Sequence, residues 1–382
     1  MKITRIDVYR IALPFSARRT APDTAANRAL DPFNAASPAL KHMESLMVRL
    51  QTDTGLSGWG EAFGHYINPV TFEAMKGRVG HFFLGSEICT DDQGYPTRTA
   101  EAEHAFYEFG ATGPITFALS AFDTALWDLL AQDRGLPLYQ LLGASQDTID
   151  CYASLPSYAN DPSEVARQVS GARAQGFAAV KLHETSPAAV VAARSALPDT
   201  AALMVDVNCA WTTPQAQAAL SDMRAARLRW IEEPVWPPND LSGLSTCRST
   251  GIPVAAGENA AGLLDLIRHI EAGAIDIAQP SLAKIGGITA MLQAIAAARR
   301  HQVEVMPHCF YYGAGLCATA HIVAALGPAC ALEAPLLDWP APLHPLQQAA
   351  PALTLPHQPG IGFSPNWDVL ESHLIDTATL TT

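Results

Sequence analysis

The sequence has 382 residues, of which 49% are hydrophobic and 16% are charged, the usual balance of a globular protein. Its formal net charge of −13 argues against nucleic acid or an anionic membrane surface as a partner, because no basic patch offsets the acidic total. The cysteines show no CxxC pair, and neither a signal-peptide core nor a membrane-spanning run is present, so we expect a cytoplasmic protein with reduced thiols.

The first third of the chain predicts a small α+β domain. Polar and apolar residues alternate over residues 2–13, which predicts a strand, and two further strands over residues 46–52 and 56–61 form a predicted hairpin. Residues 14–40 are rich in Ala, Pro, Asn and Arg without a period, which is typical of a functional loop or a disordered segment. Helical patterns follow over residues 69–84, 104–109 and 116–133.

From residue 149 onward, short apolar runs alternate with amphipathic helical patterns. Such alternation predicts parallel strands joined by right-handed crossovers. Eight runs favour a closed (β/α)8-type barrel, although the pattern alone also suits a doubly wound sheet. The predicted strands cover residues 149–154, 178–183, 202–208, 228–233, 252–258, 275–279, 303–308 and 330–334.

Charged residues stand at the ends of four consecutive apolar runs. One run ends in Lys181 and His183, and the next three end in Asp206, Glu232 and Glu258, evenly spaced by about one strand–helix unit. Because the C-terminal ends of barrel strands form the active site, we expect all five side chains in one mouth. Three carboxylates there would repel one another without a divalent cation, and hard oxygen ligands suit Mg²⁺.

Several phrases in a fixed order make the whole sequence resemble a known family. They are Gly58-Trp59-Gly60-Glu61, residues 121–128, Val205-Asp206-Val207-Asn208, Trp230-Ile231-Glu232-Glu233-Pro234, Gly257-Glu258-Asn259 and Lys284-Ile285-Gly286-Gly287-Ile288-Thr289. Together they resemble the enolase superfamily, specifically its mandelate racemase-like branch. The resemblance implies an α/β protein with a modified, TIM-like barrel over residues 136–335. It also implies an N-terminal α+β capping domain over residues 1–135 and a C-terminal segment, residues 336–382, that returns to the cap.

The resemblance implies a metal site and a reaction class. Asp206, Glu232 and Glu258 would bind Mg²⁺, with helix caps or salt bridges as the plain structural alternative. The ion would hold a small-molecule carboxylate substrate and stabilise the enediolate that forms when the neighbouring C–H bond loses its proton. A homo-oligomer is expected from the resemblance alone.

The second barrel strand departs from the family pattern. The family ends this strand in Lys-x-Lys, whose second lysine is the base, whereas this sequence reads Lys181-Leu182-His183. Lys181 is expected to stay a cation against the substrate carboxylate. His183 then takes the position of the base, since an imidazole pKa of about 6.5 lies near working pH. The alternative is that His183 is a spectator and Lys181 takes the proton.

A second departure concerns the histidine that matches the seventh strand end, His308. In the mandelate racemase pattern it pairs with an aspartate of the sixth strand, and the muconate-lactonizing branch has a lysine there, but this sequence has Ser281. Without an anion beside it, His308 is expected to hold a proton less tightly, which weakens a symmetric two-base racemase. A buried histidine satisfied by a carbonyl is the alternative. Glu333 matches the eighth-strand carboxylate, which contacts the substrate carboxylate or acts as an electrophile; the alternative is a plain salt bridge.

Our preferred hypothesis is Mg²⁺-dependent dehydration of a sugar acid or similar hydroxy acid to a 2-keto acid. His183, or else Lys181, would take the α-proton, and His308 would protonate the departing β-hydroxyl. Racemisation, epimerisation or cycloisomerisation of a hydroxy acid or a cyclic amino acid of the hydroxyproline type stays open, as does a non-catalytic binding barrel. Neighbouring residues are expected to orient the ligands or line the cover: Asn208, Glu233, Asn259, Trp211, His42 and His65.

Overall fold

Two sheets form the frame of the protein. The computed structural model describes residues 1–17, 40–344, 346 and 350–382, so the predicted loop over residues 14–40 lies largely outside the described residues. The strands are β1 (Ile3–Pro14), β2 (His42–Thr52), β3 (Ser57–Ala62), β4 (Thr148–Ser154), β5 (Ala179–Leu182), β6 (Ala202–Asp206), β7 (Trp230–Glu232), β8 (Val254–Ala256), β9 (Ile277–Ala278), β10 (Glu304–Val305), β11 (Leu332–Pro335), β12 (Ala352–Thr354) and β13 (Leu374–Thr381).

Helices lie between and outside these strands. They are α1 (Asn68–Ala74), α2 (Gly80–Phe83), α3 (Thr97–Ala105), α4 (Pro114–Asp133), α5 (Leu138–Leu141), α6 (Pro162–Ala174), α7 (Pro187–Ser195), α8 (Thr213–Met223), α9 (Leu241–Arg248), α10 (Leu263–Glu271), α11 (Leu282–Ile285), α12 (Gly287–Arg300), α13 (Ala314–Leu326) and α14 (Trp367–Ser372). The single helix predicted over residues 69–84 is broken at Gly77, which has non-helical torsion angles. No helix in the described ranges is both long and apolar enough to cross a bilayer.

The first sheet is antiparallel and joins the two ends of the described chain. Its strand order is β13-β1-β2-β3. Helix α4 packs on β3 at very short range, because a Cβ atom added to Gly58 or Gly60 would lie 2.3 Å from Ala125 O or 1.9 Å from Ala121 O. Two glycines of the Gly-Trp-Gly-Glu phrase are therefore required by backbone contact between strand and helix.

The second sheet is the parallel barrel. Its strand order is β10-β9-β8-β7-β6-β5-β4-β11, so that β11 pairs with β4. The eight predicted strands are all present, and all except β4 are shorter than predicted. This arrangement confirms the predicted (β/α)8-type barrel rather than a doubly wound sheet. Within the described ranges no ladder pairs β10 with β11, but the amide of Cys309 donates to Glu333 Oε2 at 3.0 Å across this gap.

Buried carboxylates of the first part of the chain bind backbone amides of the barrel helices. Glu61 Oε2 accepts from the amides of Gly313 (3.1 Å) and Gly315 (2.8 Å) at the start of α13. Asp123 Oδ2 accepts from the amide of Thr289 at 2.9 Å in α12. Burial raises the pKa of Glu61 to about 7 and that of Asp123 to about 6. These contacts fix the antiparallel sheet and α4 against the barrel.

Candidate active site

Three carboxylates stand side by side at the C-terminal ends of adjacent barrel strands. Asp206 is the last residue of β6 and Glu232 the last of β7, and the two are register partners. Glu258 lies two residues beyond the end of β8. All three are buried, with 2%, 0% and 9% of their surface exposed, respectively. We call these three residues the carboxylate row.

Lys181 lies against the carboxylate row and is completely buried. Its Nζ is 2.7 Å from Glu333 Oε1, 3.1 Å from each carboxylate oxygen of Glu232 and 3.6 Å from Asp206 Oδ2. Burial alone would lower the pKa of Lys181, but the charges of Glu232 and Glu333 raise it well above its ordinary value. With these partners in place, Lys181 holds its proton.

Like charges are crowded within the row itself. Burial, followed by the negative charge of Asp206, raises the pKa of Glu232 well above its ordinary value, and Glu258 contributes in the same direction. Both causes disfavour the charged form of Glu232 beside Asp206. An additional cation would relieve this repulsion.

His183 lies at one end of the row, beside Asp206. Its Nδ1 is 2.6 Å from the carbonyl oxygen of Leu155, and its Nε2 is 3.4 Å from Asp206 Oδ2. Because a carbonyl can only accept, Nδ1 carries a proton and donates it to Leu155. Burial lowers the pKa of His183, but the hydrogen bond and the charge of Asp206, together with the bond to Leu155, outweigh it and the pKa is raised. While Asp206 faces the ring, its bond with the histidine favours a proton on Nε2 as well; once Asp206 turns to hold an ion, the lone pair of the neutral ring is on Nε2.

His308 lies at the other end of the row, beside Glu258. Its Nε2 is 2.6 Å from Glu258 Oε2, and its Nδ1 is 3.1 Å from Ser281 Oγ. Ser281 lies beside the ring of His308, at the position where the family has an aspartate or a lysine. Its hydroxyl group also forms a hydrogen bond with Tyr311 Oη. The expectation that no anion stands beside His308 is wrong, because the end of β8 brings Glu258 to the opposite nitrogen of the ring.

Glu333, at the second position of β11, is held by three donors. Ser154 Oγ donates to Oε1 at 2.7 Å, the amide of Cys309 donates to Oε2 at 3.0 Å, and Lys181 approaches Oε1 at 2.7 Å. Burial raises the pKa of Glu333, but the charge of Lys181 and the hydrogen bonds from Lys181 and the amide of Cys309 together outweigh it and the pKa is lowered. Glu333 is therefore a fixed anion that keeps Lys181 in place.

A second set of polar residues orients the end of the row. Asn259 Nδ2 donates to Glu258 Oε1 at 2.8 Å and to Glu233 Oε2 at 2.7 Å, and Lys284 Nζ donates to Asn259 Oδ1 at 2.7 Å. The amide of Asn208 donates to Asp206 Oδ1 at 2.8 Å. These contacts restrict the carboxylates on the side that faces away from Lys181.

Residues after β3 cover the end of the row that holds His308. The ring of Phe63 lies 6.1 Å from that of His308 and 4.6 Å from that of His65. Burial lowers the pKa of His65 to about 4. His42, which the sequence also suggested for the cover, is exposed.

The donor set suits Mg²⁺, although the side chains are turned to other partners. In the described part of the chain, no group of three His, Cys, Asp or Glu side chains is arranged to hold an ion as it stands. Asp206 and Glu232 instead contact Lys181, and Glu258 contacts His308. Three buried carboxylates on adjacent strands, with unrelieved repulsion at Glu232, match the hard oxygen ligands that Mg²⁺ prefers. The ion requires these side chains to turn from their present partners.

Three partners in the site were not found from the sequence. Tyr311 binds Ser281, Ser154 binds Glu333, and the carbonyl of Leu155 binds His183. A backbone carbonyl leaves no signal in a sequence. Tyr311 lies only three residues beyond His308, but nothing in its local pattern indicates a contact with Ser281.

The sequence matches family models along most of its length. Residues 18–143 match the mandelate racemase / muconate lactonizing enzyme N-terminal domain, and residues 164–369 match the enolase C-terminal domain-like model. The chain belongs to the mandelate racemase / muconate lactonizing enzyme family. The predicted resemblance to the enolase superfamily is thereby confirmed.

Relatives within this family are sugar-acid enzymes by name. The chain is 29% identical to D-galactarolactone cycloisomerase of Agrobacterium fabrum, covering 89% of this chain and 93% of the relative. It is 28% identical to D-galactonate dehydratase of Ralstonia pickettii, covering 72% and 74%. A solved racemase from Streptomyces coelicolor with bound magnesium has a TM-score of 0.82 at 25% identity, covering 98% of this chain and all of the other.

Proposed function

We propose that the protein is a Mg²⁺-dependent enzyme that removes the proton α to the carboxylate of a sugar acid. Loss of the β-hydroxyl then gives a 2-keto acid. The observation that carries the proposal is the carboxylate row, with one histidine at each end and a buried lysine against its centre. Names of relatives support a sugar acid as the substrate, since they include a galactonate dehydratase and a galactarolactone cycloisomerase.

Asp206, Glu232 and Glu258 would hold the Mg²⁺. When bound, the ion supplies positive charge against the enediolate that forms on loss of the α-proton. Lys181 stays protonated and adds a second positive charge at the same end of the substrate. Without such charges, a proton next to a carboxylate is too weakly acidic for a side chain to remove.

His183 is our proposed base, in preference to Lys181. Lys181 is paired with Glu232 and Glu333 and has no free lone pair. The bond from His183 Nδ1 to Leu155 O leaves the Nε2 lone pair facing the row, where a substrate held by the row would present its α-proton. General-base catalysis by a positioned imidazole contributes about 10²–10⁴-fold to rate.

His308 is our proposed donor to the oxygen that leaves the β-carbon. It is separated from His183 by the carboxylate row, since each ring contacts a different end carboxylate. A substrate bound along the row would therefore meet the base and the donor at two different places. This division suits elimination, in which one carbon loses a proton and its neighbour loses an oxygen.

Cycloisomerisation is a second candidate, because a relative aligned over 89% of this chain is named a cycloisomerase. Opening of a sugar lactone or anhydro ring also begins with removal of an α-proton. In that reaction the oxygen that leaves stays attached to the substrate. The same residues serve both reactions, and the substrate decides between them.

The test is a screen of aldonates, aldarates and their lactones with Mg²⁺, read by formation of 2-keto acids. We expect one acid to be dehydrated or one ring to be opened. Solvent deuterium in recovered substrate of inverted configuration, with no 2-keto acid, would establish an epimerase instead. If no acid gives a product or exchanges its α-proton, and Mg²⁺ does not change the melting temperature, the protein is a non-catalytic barrel.

A further inference from the structure

We propose that Tyr311 and Ser281 form a directional hydrogen-bond relay that places the single imidazole proton of neutral His308 on Nε2. The relay begins at the amide of Ala283 and ends at His308 Nδ1. It makes His308 a hydrogen-bond donor, the opposite tautomer to that of His183, whose Nδ1 donates to Leu155 O. The assignment of the proton stands on geometry alone, whereas its catalytic meaning rests on the proposed function.

The direction of the relay is set at its first bond. The amide of Ala283 lies 3.4 Å from Tyr311 Oη, and an amide N–H can only donate. Tyr311 therefore accepts there, and its own proton is directed elsewhere. Its other hydroxyl partner in the described ranges is Ser281 Oγ. The phenol is 2% exposed, and burial raises the pKa of Tyr311 well above its ordinary value, so this proton is retained.

The second bond transmits this direction to the histidine. Ser281 Oγ accepts from Tyr311, so the serine proton points to His308 Nδ1 at 3.1 Å. In the reverse arrangement, Nδ1–H would donate to Ser281 and one hydroxyl proton of the pair would have no acceptor in the described part of the chain. Ser281 is 1% exposed, so water is not a ready substitute.

The other ring nitrogen agrees with this assignment. Nε2 lies 2.6 Å from Glu258 Oε2, and a carboxylate can only accept. If Glu258 turns to hold Mg²⁺, the relay on the Nδ1 side is not disturbed. The proton then stays on Nε2 and is presented to the bound substrate.

An aspartate at position 281 would have the opposite effect. A carboxylate accepts a proton from Nδ1 and leaves the lone pair on Nε2, which makes the ring a base. With Ser281 and Tyr311, His183 is the one of these two histidines that presents a lone pair to the substrate. A neutral imidazole that donates a hydrogen bond from one nitrogen polarises the departing oxygen without taking up a proton. The proton that leaves with this oxygen as water is then the α-proton that His183 has removed. The enzyme should therefore remove α-protons from one face of the substrate only.

The direct test is ¹⁵N NMR of the full-length protein labelled at histidine, with and without Mg²⁺. The His308 signal is assigned by its loss in His308→Asn. We expect a protonated Nε2 and an unprotonated Nδ1 in the parent protein. In Tyr311→Phe and in Ser281→Ala, Nδ1 should become protonated in part. The matched control is Tyr312→Phe, which removes the hydroxyl of the neighbouring tyrosine that stacks on Trp339, and it should leave the signal unchanged.

A protonated Nδ1 with a bare Nε2 in the parent protein would overturn the relay, as would an unchanged His308 signal in both Tyr311→Phe and Ser281→Ala. On a substrate found in the screen, Tyr311→Phe should lower kcat about 10–100-fold at unchanged KM. A rise in KM alone would show a packing role for Tyr311.

Ser281→Asp tests the same relay as a gain of function. In D₂O the parent enzyme should exchange the α-proton of one epimer of its acid, and Ser281→Asp should begin to exchange the other. Exchange of both epimers by the parent would overturn the inference. If no acid exchanges with the parent although NMR finds the proton on Nε2, the proposed function fails while the relay stands.

Discussion

The two ends of the carboxylate row hold their histidines in different ways. At one end, a single bond to the backbone carbonyl of Leu155 at the end of β4 orients His183. At the other, two side chains and a backbone amide orient His308. A carbonyl only accepts and an amide only donates, so these backbone groups assign opposite tautomers to two rings of the same type. The roles of the histidines therefore come from neighbouring backbone groups rather than from residue type.

The two ends also differ in their dependence on the rest of the protein. At the His183 end, the ring contacts Leu155 O and Asp206 Oδ2, which both belong to the barrel. The His308 end is covered by Phe63, whose ring is 5.6 Å from Tyr311. Glu61 fixes the amides of Gly313 and Gly315, which follow Tyr311 closely in sequence. Substitutions in the antiparallel sheet should therefore affect His308 more than His183.

The largest effect is expected from His183→Asn. Loss of the base should reduce 2-keto acid formation about 10²–10⁴-fold, because His183 is the residue that we assign to removal of the α-proton. Steady-state kinetics measure this loss, and an unchanged melting temperature confirms that the variant folds. Turnover within a factor of two of the parent rate would transfer the role of base to another residue.

Lys181→Met should cause the largest loss of stability. Removal of this cation leaves Glu232 and Glu333 buried without their partner, and breaking a buried ion pair costs about 3–5 kcal/mol. Denaturant unfolding without Mg²⁺ measures the loss. Lys284→Met is the matched control, since this half-buried lysine bonds a neutral amide and should cost far less. Equal losses in the two variants would show that the network does not depend on Lys181.

The buried carboxyl group of Glu61 should make the free energy of unfolding depend on pH. Its folded-state pKa of about 7 exceeds the ordinary value of 4.5, so the folded protein binds this proton more tightly than the unfolded chain does. The free energy of unfolding should therefore fall as pH rises from about 4.5 to 7, by up to about 3 kcal/mol. In Glu61→Gln the contribution of Glu61 to this pH dependence should disappear. The contributions of other buried carboxylates, such as Asp123, should stay.

The control for this pH series is Glu73→Gln, which removes an exposed glutamate paired with Lys76. It should leave the slope of the parent protein intact. A slope that is the same in Glu61→Gln and in the parent would mean that Glu61 titrates in the folded protein as it does in the unfolded chain.

Binding of Mg²⁺ should produce the smallest of these effects. At a hundredfold excess over its Kd, the ion should raise the free energy of unfolding by about 2.7 kcal/mol. Glu232→Gln should abolish most of this gain. Asp123→Asn, which changes a buried carboxylate outside the row, should retain it. A parent protein that gains nothing from Mg²⁺ would contradict the assignment of the row as a metal site.

Local patterns in the sequence were sufficient for the barrel and for the position of the row. Eight apolar runs predicted the eight strands, and parallel strands necessarily bring the ends of β6, β7 and β8 to one mouth. Helix α3 begins at Thr97, seven residues before the predicted start. The sequence pattern missed this start because the first two turns of the helix show no apolar face. The partners of the histidines depend on contacts between distant segments, such as Leu155 with His183, which no local pattern encodes. Ser281 was recognised as unusual, but its bond to Tyr311 required the structure.

The most direct test compares α-proton exchange in D₂O by His183→Asn and His308→Asn, each with Mg²⁺ and the same acid. We expect His308→Asn to keep exchanging the α-proton while losing elimination, and His183→Asn to lose both. The reverse pattern, with exchange retained in His183→Asn and lost in His308→Asn, would contradict the assignment of base and donor to the two ends of the row.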